Sequence, residues 1–215
     1  MTMKLARACA FALATSTLAF AWKEPVSLFP SVISEGQPKG EIKNISGNLF
    51  AGDAIPSDIP ESQLNLTAWF PNHQPANVEP VIEKTIAYLR DDLGIQTIGA
   101  VGYCFGGRYV ARFLAEGKGV DLGFTAHPSV LSNAEIAQIV NPISIAAGEL
   151  DATFNITQRY DADRLLTGNN VTYEQTLYSG APHGFGVRVN ANIPRQKYAK
   201  QSAYIQALKW FDFWL

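Results

Sequence analysis

The chain has 215 residues, of which 47% are hydrophobic and 17% are charged, and its formal net charge is -2. This length and composition suit one folded domain with a substantial core, and they do not suit a disordered or repetitive chain. The near-neutral charge supplies no basic surface for nucleic acid, so we expect the partner to be a small, roughly neutral molecule.

The N-terminus has the pattern of a secretory signal. Lys4 and Arg7 precede an apolar run over residues 8–20, which ends in the small-x-small cleavage pattern Ala19-Phe20-Ala21. Such a run is too short to cross a bilayer. We therefore predict a cleaved signal over residues 1–21 and one domain over residues 22–215, with a buried hydrophobic helix as the alternative to the signal. With the signal, the mature protein is expected to be secreted and free of the membrane; without it, the cytoplasm is expected.

Predicted helices and strands alternate through the second half of the chain. Residues 22–77 are rich in Pro, Gly, Ser and Asn and are predicted to form loops with short extended pieces. The elements that follow are a helix from Val78 with Gly94 as its stop, strands over 95–103, 120–126, 142–147 and 171–177, and helices over 106–115, 155–166 and 196–215. This alternation predicts an α/β fold with a mostly parallel sheet.

The last predicted helix has large side chains at helical spacing on one face. We predict that this face packs against the sheet. It consists of Tyr198, Ser202, Ile205, Leu208, Phe211 and Leu215.

A cysteine occupies the turn between the first predicted strand and the helix after it. Residues 102–106 read GYCFG, the cysteine form of the nucleophile elbow, in which glycines allow a sharp turn. The N-terminus of the following helix lowers the pKa of a thiol at this position. Cys104 is the one cysteine after the predicted signal, because the other is Cys9. A glycine-rich packing turn with a small buried cysteine is the alternative.

An acid and a histidine follow Cys104 in the chain order of α/β-hydrolases. Asp151 comes after the predicted strand 142–147, and His183 comes after the strand 171–177. Both therefore lie beyond the carboxyl ends of strands, where open α/β sheets place their sites. His183 is the only histidine after Asp151. The other two, His73 and His127, are expected to be structural or solvent-facing.

Five segments resemble the dienelactone hydrolase family, particularly its fungal members. The resemblance covers the chain from Asn48 onward and implies an α/β-hydrolase fold, with Cys104, Asp151 and His183 in the positions of the family's triad. It further implies hydrolysis of a lactone or carboxylic ester through a thioester acyl-enzyme. The segments are 99–108 (GAVGYCFGGR), 126–129 (AHPS), 146–154 (AAGELDATF), 177–188 (LYSGAPHGFGVR) and 210–215 (WFDFWL).

Other residues are candidates for contacts with the substrate. The backbone N–H of Phe105, directly after the nucleophile, is the expected oxyanion donor. Arg188 either pairs with a substrate carboxylate or is a surface arginine. Tyr103 and Phe185 either line an apolar pocket or pack in the core.

The chain departs from the family pattern between Gly47 and Asn48. The segments on either side resemble parts of the family that are well separated, so a stretch on the order of fifty residues is predicted to be absent. That stretch would supply early strands of the sheet and the second oxyanion N–H. Either a faulty gene model or a shortened hydrolase explains the gap. A lost oxyanion donor typically lowers the rate by about 10²- to 10³-fold.

The sequence leaves two alternatives to an active hydrolase open. One is a truncated, catalytically inactive protein that lacks a complete oxyanion hole. The other is a redox-active cysteine protein, which the lack of a second cysteine disfavours. The sequence contains no phosphate-binding loop and no metal-ligand cluster, so no cofactor is expected. A monomer is favoured.

Overall fold

A parallel β-sheet forms the centre of the protein. The computed structural model describes residues 7–13, 50, 53, 63 and 65–215, and for residues 7–13 it describes the backbone. Among these residues, each strand pairs in parallel with the next, in the order β1-β2-β3-β4-β5. The predicted parallel sheet is therefore confirmed. The strands are β1 (Arg7–Leu13), β2 (Thr97–Tyr103), β3 (Leu122–Ala126), β4 (Ile143–Leu150) and β5 (Tyr173–Pro182).

Helices flank the sheet and alternate with its strands, as predicted. A 3₁₀ turn at Phe70–His73 follows the first helix, and a π-helical turn at Tyr88–Asp92 follows the second. The positive φ of Gly94, 66°, marks the predicted stop. The helices are α1 (Leu66–Trp69), α2 (Pro75–Ala87), α3 (Phe105–Phe113), α4 (Asn133–Ile136), α5 (Ile156–Gly168) and α6 (Pro194–Trp214).

The prediction of loops up to residue 77 is wrong for residues 66–77, which are almost entirely helical. The side chain of Asn65 caps α1 by accepting the N–H of Ala68 at 3.1 Å. Pro71 and Pro75 lie in the first turns of helical segments, where a missing N–H is tolerated. Asn and Pro therefore start helices here instead of forming loops.

The strands β4 and β5 are longer than predicted. β4 continues to Leu150 and β5 to Pro182, because the two strands pair with each other up to their last residues. A register shift between Gly148 and Leu150 accompanies this extension. The loops after both strands consequently begin side by side at one edge of the sheet.

Apolar side chains cover both faces of the sheet, as expected for parallel strands buried between helices. Along β4, Ile143, Ile145 and Ala147 belong to the core shared with the helices of one face, whereas Ala146 belongs to the core on the other face.

The helix α6 packs against the sheet with a different face from the one predicted. Tyr198 is 68% exposed and Leu208 is 40% exposed, although Phe211 does contact the core. Small side chains let the helix approach the strands closely, and this close packing stabilises the protein more than burial of the larger side chains would. The buried residues of α6 are Ala199, Ala203, Gln206, Ala207 and Trp210.

The N-terminal apolar segment contributes the strand β1, whose residues Arg7–Leu13 pair with Thr97–Tyr103 of β2. The alternative of a buried helix in this segment is therefore wrong for residues 7–13. The cleaved signal over residues 1–21 stays a prediction. The junction between Gly47 and Asn48 lies outside the described residues, so the absent stretch also stays a prediction. Among the described residues, no helix has the length and apolar character that crossing a membrane requires.

Candidate active site

Cys104 lies at the sharp turn between β2 and α3. Its backbone has a φ of 51° and a ψ of -119°, which residues with side chains rarely adopt. The Cys104 carbonyl accepts the N–H groups of Gly107 and Ser129, each at 3.0 Å. A Cβ on Gly102 would collide with the carbonyl of Gly106, so the turn requires glycine there. The predicted elbow is therefore present.

The sheet brings Cys104, His183 and Asp151 together although they are far apart in sequence. The Nε2 atom of His183 lies 3.0 Å from the sulfur of Cys104. On the other side of the ring, Nδ1 lies 3.1 Å from Oδ1 and 3.0 Å from Oδ2 of Asp151. The imidazole thus bridges the thiol and the carboxylate, and each ring nitrogen has a partner.

Asp151 is held by donors from its own loop. Oδ1 accepts the N–H of Thr153 at 2.8 Å, the Thr153 hydroxyl at 2.8 Å and the N–H of Phe154 at 3.2 Å. Burial would raise the pKa of this carboxyl, but hydrogen bonds from His183 and Thr153 and the charge of His183 lower it to about 2. Asp151 is therefore ionised at neutral pH and can orient the imidazole.

The sulfur and the imidazole stabilise each other's charged forms. Burial would raise the pKa of the Cys104 thiol, but the hydrogen bond and charge of His183, with further bonds from Ser129 and the N–H of Phe105, lower it. Burial would likewise lower the pKa of His183, but Asp151 and Cys104 raise it to about 10. Each partner therefore favours the charged form of the other, the thiolate of Cys104 and the imidazolium of His183.

Phe105 directly follows the nucleophile candidate, whereas Arg188 lies on the surface. The N–H of Phe105 faces the Cys104 sulfur, and its role as an oxyanion donor stays a prediction. Arg188 is exposed, and among the described residues its guanidinium forms no ion pair. Its role toward a substrate carboxylate stays a prediction.

Tyr103 and Phe185 pack in the core. Phe185 is fully buried, with its ring centroid 5.3 Å from that of His127. Tyr103 is partly buried against Phe124 and His127, and its burial raises its pKa to about 12, with a smaller contribution from Tyr204. Both residues therefore have contacts in the core, and their role in lining a substrate pocket stays a prediction.

His73 and His127 are structural, which is one of the two roles predicted for them. The ring of His73 stacks on Trp69 with centroids 3.8 Å apart, and its Nδ1 lies 2.8 Å from the Trp69 carbonyl oxygen. His127 is fully buried, and neither of its ring nitrogens has a hydrogen-bond partner among the described residues. Burial lowers the pKa of His127 to about 3, and the charge of His183 acts in the same direction.

Sequence reasoning missed two residues that contact the site. The Thr153 hydroxyl lies 2.7 Å from Nδ1 of His183, and the Ser129 hydroxyl lies 3.5 Å from the Cys104 sulfur. The spacing Asp-x-Thr signals the first, since an aspartate commonly accepts the N–H two residues on. No local pattern signals the second. In the described part of the chain, no group of His, Cys, Asp or Glu side chains is arranged to hold a metal ion.

A parallel sheet whose strand ends carry a nucleophile elbow, an acid and a histidine defines the class of the α/β-hydrolases. The family comparison gives the narrower assignment. The model of the dienelactone hydrolase family matches residues 43–215, so the chain belongs to that family, and it is an ester hydrolase.

Hydrolases from fungi are among the relatives of this chain. The chain is 39% identical over 173 residues to the hydrolase tropI of Talaromyces stipitatus, an alignment that covers 77% of this chain and 67% of the relative. It is 36% identical over 168 residues to the hydrolase pyvD of Aspergillus violaceofuscus, with 78% and 68% covered. It is 27% identical to dienlactone hydrolase 1 of Gibberella moniliformis, with 78% and 67% covered.

Solved structures share the fold at low sequence identity. A Klebsiella pneumoniae protein assigned as a dienelactone hydrolase superposes with a TM-score of 0.61 at 15% identity, covering 77% of this chain and 73% of that one. A dienelactone hydrolase-like promiscuous phosphotriesterase from metagenomic libraries gives a TM-score of 0.58 at 15% identity, covering 76% and 71%.

Proposed function

We propose that this protein hydrolyses a lactone or carboxylic ester with Cys104 as nucleophile, His183 as general acid and base, and Asp151 as the group that orients His183. The observation that carries the proposal is the unbroken line of contacts from the Cys104 sulfur through both nitrogens of His183 to Asp151. A nucleophile within hydrogen-bond reach of a base, which a third group orients, is the signature of covalent catalysis.

The first half-reaction forms a thioester. The Cys104 thiolate attacks the carbonyl carbon, and the carbonyl electron pair moves onto oxygen, which accepts the N–H of Phe105. When the tetrahedral intermediate collapses, the C–O bond to the alcohol breaks and Nε2 of His183 donates its proton to the departing oxygen. The products of this step are a Cys104 thioester, neutral His183 and an alcohol.

The second half-reaction regenerates the Cys104 thiolate and the His183 imidazolium. Neutral His183 takes a proton from water as the water oxygen attacks the thioester carbon. The C–S bond then breaks, the thiolate leaves, and the imidazolium is again paired with it. The acid product ionises in solvent. Asp151 keeps the proton on Nδ1 during both steps, so that Nε2 is always the nitrogen that faces the substrate.

Two observations bear on the alternatives. The inactive alternative gains no support from the comparisons, in which relatives carry the name hydrolase. Cys104 is also the only described free cysteine, and a redox cycle needs a second thiol to reduce a sulfenate. Neither alternative uses the contact between His183 and Asp151.

Ester turnover by matched variants tests the proposal. We expect hydrolysis of p-nitrophenyl acetate and dienelactone by the wild-type chain, and loss of it in Cys104→Ala and after alkylation with iodoacetamide. The matched control is Ser202→Ala, which removes a polar atom from a half-buried position on α6 and should leave turnover unchanged. A folded Cys104→Ala variant with undiminished turnover would refute the assignment of the nucleophile.

A further inference from the structure

The hydroxyl of Ser129 approaches the sulfur of Cys104 from the loop that follows β3. Its oxygen lies 3.5 Å from the sulfur, within the range of hydrogen bonds to sulfur. The residue is buried, with 8% of its surface exposed. Among the described residues, the sulfur is the only hydrogen-bond partner of this hydroxyl. A buried hydroxyl normally has a partner, so this contact accounts for its position.

The surrounding loop holds Ser129 in this place. The N–H of Ser129 donates to the Cys104 carbonyl at 3.0 Å, and the N–H of His127 donates to the Ala146 carbonyl at 2.9 Å. Two other residues of this loop have positive φ angles, 41° at His127 and 53° at Val130. Such a φ is rare for a β-branched residue, and strained backbone of this kind is concentrated at functional sites.

We propose that the Ser129 hydroxyl donates a hydrogen bond to the Cys104 thiolate and so sets the fraction of the nucleophile that is charged. The inference rests on the proposed function, because it takes Cys104 to be the nucleophile. Ser129 then contacts the reacting sulfur in addition to the elbow, the histidine and the acid.

Ser129 acts alongside the other groups that face the sulfur. His183 contacts the sulfur directly, with Asp151 behind it, and α3 contributes the N–H of Phe105. His127, on the same loop as Ser129, is buried and neutral, so it adds no charge. Burial raises the pKa of the thiol, and the bond from Ser129 is among those that oppose burial and lower it.

This hydrogen bond has opposite consequences in different pH ranges. Below the midpoint of thiol ionisation, it raises the rate of attack because more of the sulfur is thiolate. Above the midpoint, it slightly lowers the rate, because a stabilised thiolate is a weaker nucleophile. It also makes the sulfur a better leaving group when the thioester breaks. A purely structural role predicts none of this dependence on pH.

The matched variants Ser129→Thr and Ser129→Val separate these possibilities, because they share one shape and differ in the hydroxyl. The measurement is the rate of Cys104 alkylation by iodoacetamide from pH 4 to pH 10 in the full-length chain. We expect the midpoint in Ser129→Val to lie about one pH unit above that in Ser129→Thr, about tenfold less thiolate at low pH, with an equal or higher plateau. Ser202→Ala should keep the wild-type midpoint.

Equal midpoints in the Thr and Val variants would overturn the proposal, as would a loss of ester turnover in Ser129→Val without a shift in midpoint. If the Val variant does not fold by circular dichroism and thermal melting, Ser129→Ala against wild type gives the same comparison. Alkylation requires no ester chemistry. If the wild type fails to hydrolyse esters, that result contradicts the proposed function. The alkylation midpoints still test the role of Ser129 independently.

Discussion

His183 and His127 lie at the same end of the sheet, with ring centroids 5.2 Å apart, but their surroundings are opposite. His183 has the Cys104 sulfur at one ring nitrogen and Asp151 at the other, and these partners raise its pKa to about 10. His127 is fully buried without such partners, and burial lowers its pKa to about 3. Burial lowers the pKa of both histidines, and the hydrogen bonds and charges of Asp151 and Cys104 outweigh it at His183.

The comparison shows how the fold gives one of the two histidines a partner at each ring nitrogen. The extension of β4 and β5 brings the loops of Asp151 and His183 together at the sheet edge. The loop after β3 instead turns His127 toward Tyr103 and Phe185 in the core. A proton on His127 would have to be buried without a counterion, whereas a proton on His183 lies between the Asp151 carboxylate and the Cys104 sulfur.

Replacing each histidine by the same residue tests this contrast most strongly. We expect His183→Phe to lower kcat/KM for p-nitrophenyl acetate by about 10⁴-fold or more, because both proton transfers are lost. Steady-state kinetics on variants shown to be folded measures the effect. A loss below about tenfold would mean that His183 is not the base.

Removing the charge behind His183 should have the next largest effect. In Asp151→Asn, the amide no longer fixes the proton on Nδ1, and we expect kcat to fall by about 10³-fold. The fall should be smaller than for His183→Phe because the Thr153 hydroxyl, 2.7 Å from Nδ1, remains as an acceptor. Equal kcat values in wild type and Asp151→Asn would contradict the orienting role.

The buried carboxylate should also make stability depend on acid pH. The pKa of Asp151 falls from 3.8 to about 2 on folding. Its stabilising contribution is therefore present above pH 4 and is lost as the pH falls toward 2, by about 2 kcal/mol. Urea unfolding at a series of pH values measures this slope, which Asp151→Asn should reduce. An unchanged slope in that variant would show that Asp151 titrates normally.

Thr153 should have a smaller effect that acts through its neighbours. Its hydroxyl contacts both Asp151 and His183, so Thr153→Val removes two hydrogen bonds without changing the shape of the side chain. We expect kcat to fall about tenfold, in line with a loss of roughly 1–1.5 kcal/mol. Thr153→Ser keeps the hydroxyl and should restore most of the rate; equal rates in the Val and Ser variants would assign the effect to packing.

The smallest effect is expected at His127. His127→Phe keeps an aromatic ring in the core and removes two buried nitrogens that have no hydrogen-bond partner in the described part of the chain, so ester turnover should stay within about threefold of wild type. The melting temperature should be unchanged or higher, because an unpaired buried polar group is destabilising. A loss of turnover comparable to that in His183→Phe would contradict the expectation that turnover depends on His183 and not on His127.

Much of this site is predictable from the sequence because its signals are local or follow chain order. The glycines around Cys104 mark the turn, and Asp151 and His183 each follow a strand. Ser129 gives no such signal, since its contact with the sulfur depends on how the loop after β3 folds against α3. The buried face of α6 differs from the prediction for a related reason. Close packing of the small Ala199 and Ala203 against the sheet stabilises the helix more than burial of the larger Tyr198 and Leu208 would.

Peptide mass spectrometry of an acid-quenched reaction tests the central claim most directly. Wild-type protein mixed with p-nitrophenyl acetate should carry one acetyl group on the peptide that contains Cys104. The group should disappear as substrate is exhausted, and it should be absent from His183→Phe quenched at the same early time. Ester turnover with no acetyl group on Cys104, or with the group on another residue, would contradict the thioester mechanism.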